Sequence, residues 1–282
     1  MTNPSFSINC NGRLITIEHV MVMGILNATP DSFYDGGQFK QLNYAVEHAA
    51  KMLAEGADII DVGGVSTRPD AKEVSQQEEM DRVLPLIEKL GLSFKDVIIS
   101  IDTFRSEVAK EALKLGAHIV NDISGGSIDA QMFETVAQLK CPYILSHIQG
   151  TPQTMQLNPQ YEDVVLDVVK ELSLKVKQLE DAGVHDIIID PGFGFGKTIE
   201  QNYELLAGLP LLNRAFKYPI LLGLSRKSML YKPLGLTPQE SLNATTAAHM
   251  IALQNGAQLL RVHDVKEAKQ AIQLWELSQA GL

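Results

Sequence analysis

Short apolar runs recur along the chain, and eight of them end in a polar or charged side chain just before a loop. Between the runs, apolar residues return with the spacing of an amphipathic helix, which predicts an α/β fold. Eight roughly even units favour a closed (β/α)8 TIM barrel over a doubly wound open sheet, the competing architecture. The eight endings are Asn27, Asp61, Asp102, Asn121, Ser146 with His147, Asp190, Ser225 to Lys227, and Arg261 to His263.

A faint internal repeat supports the barrel. It consists of glycines that each follow a helical stretch and precede an apolar run: Gly56, Gly116, Gly183 and Gly256. They recur at intervals of roughly two βα units. Glycine just past a helix end supplies the left-handed conformation that closes the helix. These glycines are therefore predicted to open the second, fourth, sixth and eighth barrel strands.

The first residues of the chain have a different pattern. Residues 6–17 alternate between apolar and polar around Asn11-Gly12, a pair typical of a hairpin turn. We expect an N-terminal β-hairpin, within residues 1–18, outside the barrel and over its N-terminal end. No linker or low-complexity tract divides the sequence, so residues 1–282 are predicted to form a single domain.

Composition narrows the class of protein. Of the 282 residues, 45% are hydrophobic, and the formal net charge is −10. This acidity argues against nucleic acid or an anionic membrane as a partner, although a local pocket can still bind an anion. Cys10 and Cys141 lack metal-ligand or CxxC spacing, as is usual in a reducing compartment. No stretch approaches the ~20 apolar residues of a membrane span, and no signal core is present, so we expect a cytoplasmic protein.

Three strand ends carry groups that suit a flat heterocycle. Because the C-terminal ends of barrel strands converge on one mouth, Asp102, Asn121 and Asp190 are expected to lie close together. A carboxylate accepts paired N–H donors, and an amide offers both a donor and an acceptor. An aminopyrimidine edge would match this set. The alternative is helix capping, a role that Thr103 and Ser124 nearby could share.

The loops after the seventh and eighth strands concentrate positive charge in an acidic protein. Residues 225–228 (Ser-Arg-Lys-Ser) and 261–264 (Arg-Val-His-Asp) occupy the loops at which barrels often bind phosphate. Two alternatives stay open: Schiff-base formation by Lys227 and ion pairing of the cations with nearby carboxylates. Asp264 and Glu267 are expected to start the last helix as a capping box.

Three further loops fit the rim of a ligand site. The loop from Asn27 to Gly37 is typical of a lid or of a long solvated loop. Arg68, amid small residues, suits either a carboxylate or phosphate clamp or an exposed surface position. Residues 192–198 fail the P-loop and GxGxxG spacings. They either present Phe193 or Phe195 to the pocket or pack both rings in the core.

Metal-ligand spacing is missing from the sequence. No His, Asp and Glu set is arranged tightly enough for a dedicated site. The cofactor we expect is magnesium, bound partly through a substrate phosphate.

Seven segments form a series across nearly the whole chain: Met23–Gly37, Ser66–Pro69, Asp102, Asn121–Gly126, Asp190–Lys197, Gly223–Met229 and Arg261–Val265. This series resembles the dihydropteroate synthase family. The resemblance implies a TIM barrel, a homodimer and a transferase of folate synthesis. The implied reaction condenses 6-hydroxymethyl-7,8-dihydropterin diphosphate with 4-aminobenzoate to give 7,8-dihydropteroate and diphosphate. One departure is Ser146, at a position where methionine is common.

The resemblance also implies roles for single residues. Those similar to the pterin-binding set are Asp102, Asn121, Asp190 and Lys227. The ones also expected to be catalytic are Lys227, Asp102 and Asp190. Similar to the diphosphate-binding residues are Thr67, Arg261 and His263. The 4-aminobenzoate site is expected to include Phe33, Arg68, Phe195 and Ser228. Asn27 is similar to the position that meets magnesium, and Asp35 lies in the expected lid.

Two rival functions share part of this pattern. A pterin-dependent methyltransferase barrel could use the same pterin-binding residues, but it has no need of a diphosphate anchor such as Arg261 and His263. A catalytically silent pterin-binding homologue would bind the heterocycle without turnover. Release of diphosphate from the two implied substrates separates these possibilities.

Overall fold

The computed structural model describes residues 6–28, 37–66, 73–155 and 157–280. Within them, eight parallel strands form one sheet that closes into the expected TIM barrel. The barrel closes where Ile189 and Ile220 pair in parallel, with Ile189 N–H donating to Pro219 O at 2.9 Å. The hairpin strands are β1 Phe6–Cys10 and β2 Arg13–Ile17. The barrel strands are β3 Met21–Asn27, β4 Ile59–Gly63, β5 Ile98–Asp102, β6 Ile119–Asp122, β7 Tyr143–Ser146, β8 Ile187–Asp190, β9 Leu221–Leu222 and β10 Leu259–Val262.

Helices surround the barrel and bury their apolar faces against the outer side of the strands. None of the helices in the described ranges is long and apolar enough to cross a membrane. The helices are α1 Gly37–Ala54, α2 Gln76–Ser93, α3 Ser106–Lys114, α4 Met132–Leu139, α5 Val164–Asp181, α6 Ile199–Ala207, α7 Leu209–Ala215, α8 Ser228–Tyr231 with the 3-10 turn Lys232–Leu234, α9 Leu242–Gln254 and α10 Val265–Gln279.

The N-terminal half of the barrel interior is an apolar layer. Side chains alternate along a strand, so Ile59 points inward while Ile60 packs against the helices. The register places Met23 beside Ile59 and Ile59 beside Ile98, which sets the inward residues at one level. Branched side chains fill a barrel interior efficiently. The layer comprises Met21, Met23, Ile59, Ile98, Ile119, Ile144, Ile188, Leu221 and Leu259.

The hairpin completes this layer. Strands β1 and β2 pair antiparallel, and the turn residues Asn11 and Gly12 both have positive φ, at 52° and 85°. Such a turn follows the twist of the strands, and it favours the Asn-Gly pair. Ile8, Cys10 and Ile17 are buried in the same cluster as the apolar layer. The hairpin therefore covers the N-terminal end of the barrel, as predicted.

The glycine repeat is also as predicted. Each of the four glycines lies past a helix end and three or four residues before the first residue of β4, β6, β8 or β10. All have positive φ, a conformation that costs other residues strain. The angles are 100° at Gly56, 109° at Gly116, 89° at Gly183 and 92° at Gly256.

Candidate active site

The barrel interior becomes polar at the C-terminal ends of the strands. Two residues beyond the apolar layer, the next inward positions hold carboxylates, hydroxyls and an amide, because side chains alternate along each strand. The register sets these side chains next to one another, in the pairs Asp61–Ser100, Asp102–Asn121 and Ser146–Asp190. The expected heterocycle-binding residues therefore share one mouth.

Arg261 is the centre of a buried ion-pair network in this layer. Its Nε donates to Oδ2 of Asp61 at 2.6 Å, and its Nη2 donates to Oδ2 of Asp102 at 2.5 Å. Asn121 Nδ2 also donates to Asp61 Oδ2, at 3.1 Å. The resemblance placed Arg261 with the diphosphate anchors and Asp102 with the pterin-binding set. In the structure the two residues belong to one network.

Two carboxylates share the single guanidinium of this network. Burial raises the pKa of Asp102 to about 7, an effect that Arg261 opposes and the charge of Asp61 reinforces. For Arg261, burial disfavours the charged form, but Asp61 and Asp102 outweigh it and raise the pKa. Asp61 Oδ1 is buried and has no hydrogen-bond partner among the described residues. Buried acceptors normally have a hydrogen-bond donor. Asp61 Oδ1 is therefore an acceptor that a bound ligand could use.

Lys227 lies beside the loop that follows β8. Its Nζ donates to the carbonyl of Phe193 and is 4.4 Å from the centre of the Phe195 ring. Burial lowers the pKa of Lys227 to about 8, and Asp190 opposes this effect. Phe193 is fully buried in the outer core, whereas Phe195 is half-buried. The two sequence interpretations therefore divide: Phe193 packs in the core, and Phe195 lies against the site lysine.

Asp190 has a local partner as well as its place at the mouth. Its Oδ1 accepts from Gly192 N–H at 2.8 Å, so the carboxylate shapes the turn after β8. Helix capping, the alternative for the three strand ends, is wrong, because α3, α4 and α6 have Arg105, Gln131 and Thr198 at their N-cap positions. Asp122 also shapes a turn, since its carboxylate accepts from the N–H groups of Ser124 and Gly126 and from the hydroxyl of Tyr143.

Not all the cations after β9 and β10 face a ligand. Nε and Nη2 of Arg226 bind both carboxylate oxygens of Asp264, at 2.9 and 2.7 Å. The ion-pairing alternative is therefore right for Arg226, and Arg261 is ion-paired as well, with Asp61 and Asp102. The expected capping box of Asp264 with Glu267 is wrong: Asp264 precedes α10, but its side chain caps no amide. His263 is exposed, with its Nδ1 3.0 Å from Ser225 Oγ.

The remaining expected site residues lie at the rim or outside the described residues. Asn27 ends β3 beside Gly63 with an exposed side chain, and Ser228 is the first residue of α8. Residues of the predicted lid and second loop lie outside the described ranges: Phe33, Asp35, Thr67 and Arg68. In the described part of the chain, no group of three or more His, Cys, Asp or Glu side chains could hold a metal.

Two buried side chains of this region have no role in the sequence-based assignment. Asp61 is one of the eight strand endings, and its inward direction follows from the alternation that orients Asp102. The sequence therefore contains a signal that Asp61 lies at the mouth. Lys197 is 3% exposed, with its Nζ 2.9 Å from Nδ1 of His147. Its only signal was a glycine-rich segment that fails known motifs, and nothing local indicates a buried lysine.

Comparisons with known proteins identify the family of this chain. The model of the pterin binding enzyme family matches residues 23–263. The dihydropteroate synthase of Escherichia coli K12 is 46% identical over 267 residues, which is 94% of each chain. The chain belongs to the dihydropteroate synthase family.

Solved structures of this family have the same fold. Xanthomonas albilineans dihydropteroate synthase with 4-aminobenzoic acid superposes with a TM-score of 0.91 at 40% identity, covering 98% of this chain and 99% of that one. The same enzyme in complex with 7,8-dihydropteroate gives a TM-score of 0.87 at 38% identity, again over 98% and 99%. The barrel thus has the fold of the dihydropteroate synthases.

Proposed function

We propose that this chain condenses 6-hydroxymethyl-7,8-dihydropterin diphosphate with 4-aminobenzoate, giving 7,8-dihydropteroate and diphosphate. The observation that carries the proposal is the inward polar layer at the barrel mouth, where Asp102, Asn121 and Asp190 stand at three strand ends. Carboxylate and amide groups in one buried layer can pair with the donors and acceptors of an aminopyrimidine. Lys227 adds a donor, and family membership supports the same reaction.

The reaction breaks one bond and forms another. The bond between the pterin methylene and the diphosphate oxygen breaks, a bond to the amine nitrogen forms, and that nitrogen loses a proton. Positive charge near the departing group lowers the barrier. Arg261 and His263 lie just before α10, whose N-terminus adds the favourable end of its dipole. Asp102 and Asp190 are proposed to stabilise the pterin, whose methylene becomes electron-poor as the diphosphate departs.

The 4-aminobenzoate is proposed to bind nearer the rim. Phe195 and Ser228 flank Lys227, since the ring lies over its ammonium and the serine follows it in sequence. An aromatic face and a hydroxyl suit a benzoate. Phe33 and Arg68 are proposed to contribute from loops that lie outside the described residues.

Magnesium, a homodimer and a cytoplasmic location are also proposed. Asn27 offers one exposed amide oxygen at the mouth, which fits a cation held mainly by substrate phosphate oxygens. Bound there, magnesium would neutralise charge on the diphosphate. Titration of the purified protein with Mg²⁺ in the presence of the pterin diphosphate, comparing wild type with Asn27→Ala, tests the site. Sedimentation velocity tests the dimer.

The deciding experiment is a diphosphate-release assay with and without 4-aminobenzoate. Release that requires both substrates and yields dihydropteroate supports the proposal. A protein that binds the pterin without turnover would instead be a silent homologue. Methyl transfer from methyltetrahydrofolate would indicate the methyltransferase.

Lys227→Ala is expected to lose most activity. Removing a single positioned donor costs on the order of a hundredfold in turnover, and Lys227 is the donor between Phe195 and the strand ends. Steady-state turnover measures the loss. Lys232→Ala is the matched control, since Lys232 is exposed and lies in the same segment. Retention of most activity by Lys227→Ala contradicts the assigned role.

A further inference from the structure

Lys197 is a buried lysine with a complete set of partners. Its Nζ is 2.9 Å from Nδ1 of His147, and it donates to the carbonyl oxygens of Gly192 at 2.9 Å and Phe195 at 3.1 Å. An ammonium carries three N–H donors, so each has an acceptor here. A buried charge is tolerated when it is paired and hydrogen-bonded in this way.

The counter-charge reaches Lys197 through His147. Nε2 of His147 lies 3.1 Å from Oε2 of Glu171, and Lys175 binds the other oxygen of that carboxylate at 2.8 Å. Burial and, next, the charge of Lys197 lower the pKa of His147 to about 4, although Glu171 opposes both effects. The imidazole is therefore neutral at pH 7. It can accept from Lys197 and donate to Glu171 at the same time.

The loop that Lys197 holds is the one that meets Lys227. Its three glycines all have positive φ: 72° at Gly192, 77° at Gly194 and 64° at Gly196. A side chain at Gly192 would overlap the carbonyl oxygen of His147, so the loop packs directly against the segment after β7. Lys197 binds the carbonyls of Gly192 and Phe195, which lie on either side of the Phe193 carbonyl that accepts from Lys227.

We propose that Lys197, held by His147 and Glu171, is a positioning residue that fixes the loop after β8. Through this loop it places Phe195 and Lys227 for the binding of 4-aminobenzoate. The consequence for that substrate rests on the proposed function. Lys197 itself touches neither substrate in this assignment.

The protonation state of Lys197 gives the proposal a distinctive signature. Burial lowers the pKa of Lys197 to about 7, while Asp190 and Glu171 favour the charged form and Lys227 opposes it. The other groups facing it are neutral His147 and the Tyr161 ring, 6.0 Å away. A neutral amine has only two donors for three acceptors. The loop is therefore fixed below about pH 7 and loosened as the pH rises through that value.

The test compares wild type with Lys197→Met and Glu171→Gln from about pH 6 to about pH 9. Lys197→Met should raise the KM for 4-aminobenzoate about tenfold at the low end of the range, with a smaller change in the KM for the pterin diphosphate. Glu171→Gln keeps the acceptor but removes the charge, so the rise in KM should begin at a lower pH than in wild type. Lys177→Met is the control, because Lys177 is an exposed residue of α5, the helix that carries Glu171.

Hydrogen exchange of residues 192–197 provides a readout that needs no turnover. Both variants should exchange faster than wild type, and Lys177→Met should not. Unchanged exchange and KM in Lys197→Met, or superimposable pH profiles for Glu171→Gln and wild type, overturn the proposal. If Lys197→Met does not fold, Glu171→Gln decides, since its side chain is 40% exposed. If wild type releases no diphosphate, the proposed function fails and the exchange data alone decide whether Lys197 fixes the loop.

Discussion

The two halves of the barrel interior come from the same strands but differ in chemistry. On β4, Ile59 is followed two residues later by Asp61, and on β5, Ile98 is followed by Ser100. The lower half, at the N-terminal ends of the strands, is apolar and covered by the hairpin, so it excludes water at no electrostatic cost. The upper half, at the C-terminal ends of the strands, buries charged side chains, which need ion-pair or hydrogen-bond partners. Two positions along a strand thus separate residues that stabilise the fold from residues that we propose serve the reaction.

Removing the cation of the upper half should have the largest effect. Arg261→Met leaves Asp61 and Asp102 without the guanidinium that pairs them, which should lower the free energy of unfolding by about 3–5 kcal/mol. Urea denaturation measures the change, and diphosphate release should be lost as well. Arg214→Met, at an exposed arginine of α7, is the control. A loss no larger than the control's would mean that the upper layer does not depend on this pairing.

A cavity in the lower half should cost stability but spare the reaction. Ile188 is fully buried in the apolar layer and lies two residues before Asp190 on β8. Ile188→Ala should lower the free energy of unfolding by about 3 kcal/mol and leave both KM values nearly unchanged. Leu92→Ala, at a leucine that is 80% exposed, should change stability little. A large rise in either KM for Ile188→Ala would show that the two halves are not separable.

The charge of Asp102 should make stability depend on pH. Its pKa is about 7 in the folded protein and ~4 in an unfolded chain. Between these values the folded state binds more protons, so stability falls as the pH rises through this window. Asp102→Asn should remove this slope, about 3 kcal/mol between pH ~4 and pH ~7. Urea unfolding of both proteins across this range measures the difference, and parallel curves would contradict the raised pKa.

The smallest expected change concerns Ser146. Its Oγ is buried at the level of Asp190 and has no hydrogen-bond partner within the described part of the protein. Ser146→Ala should therefore leave stability unchanged or raise it by up to about 1 kcal/mol. Ser127→Ala is the contrasting variant, because Ser127 Oγ donates to Ser124 O at 2.8 Å and its loss should be destabilising. Thermal unfolding measures both, and clear destabilisation by Ser146→Ala would mean that its hydroxyl is paired.

Most of the fold could be predicted because its signals are local. Alternating runs, helical periods, the Asn11-Gly12 turn and the repeated glycines each act within a few residues. The shortest barrel strand is β9, because only Leu221–Leu222 of the apolar run 220–224 pair as a strand. Tertiary pairing rather than sequence pattern sets that limit.

The site could be predicted only as a collection of residues at one mouth. Arg261 and Asp61 are 200 positions apart, and nothing in their own segments indicates that they pair. Arg226 and Arg261 look alike in sequence, yet one binds Asp264 beside α10 and the other enters the barrel. Contacts across the barrel decide which cation lies at the mouth, and those contacts follow from closure of the whole sheet.

The hairpin has a consequence for molecular traffic. Ile8, Cys10 and Ile17 fill the N-terminal end, so that within the described residues the barrel interior opens at the C-terminal ends of the strands. Any molecule that reaches the depth of Asp61 must pass the strand ends above it, and whatever is made there must leave by the same route. A compound bound at the rim therefore also blocks the entry and the release of any molecule that binds deeper in the barrel.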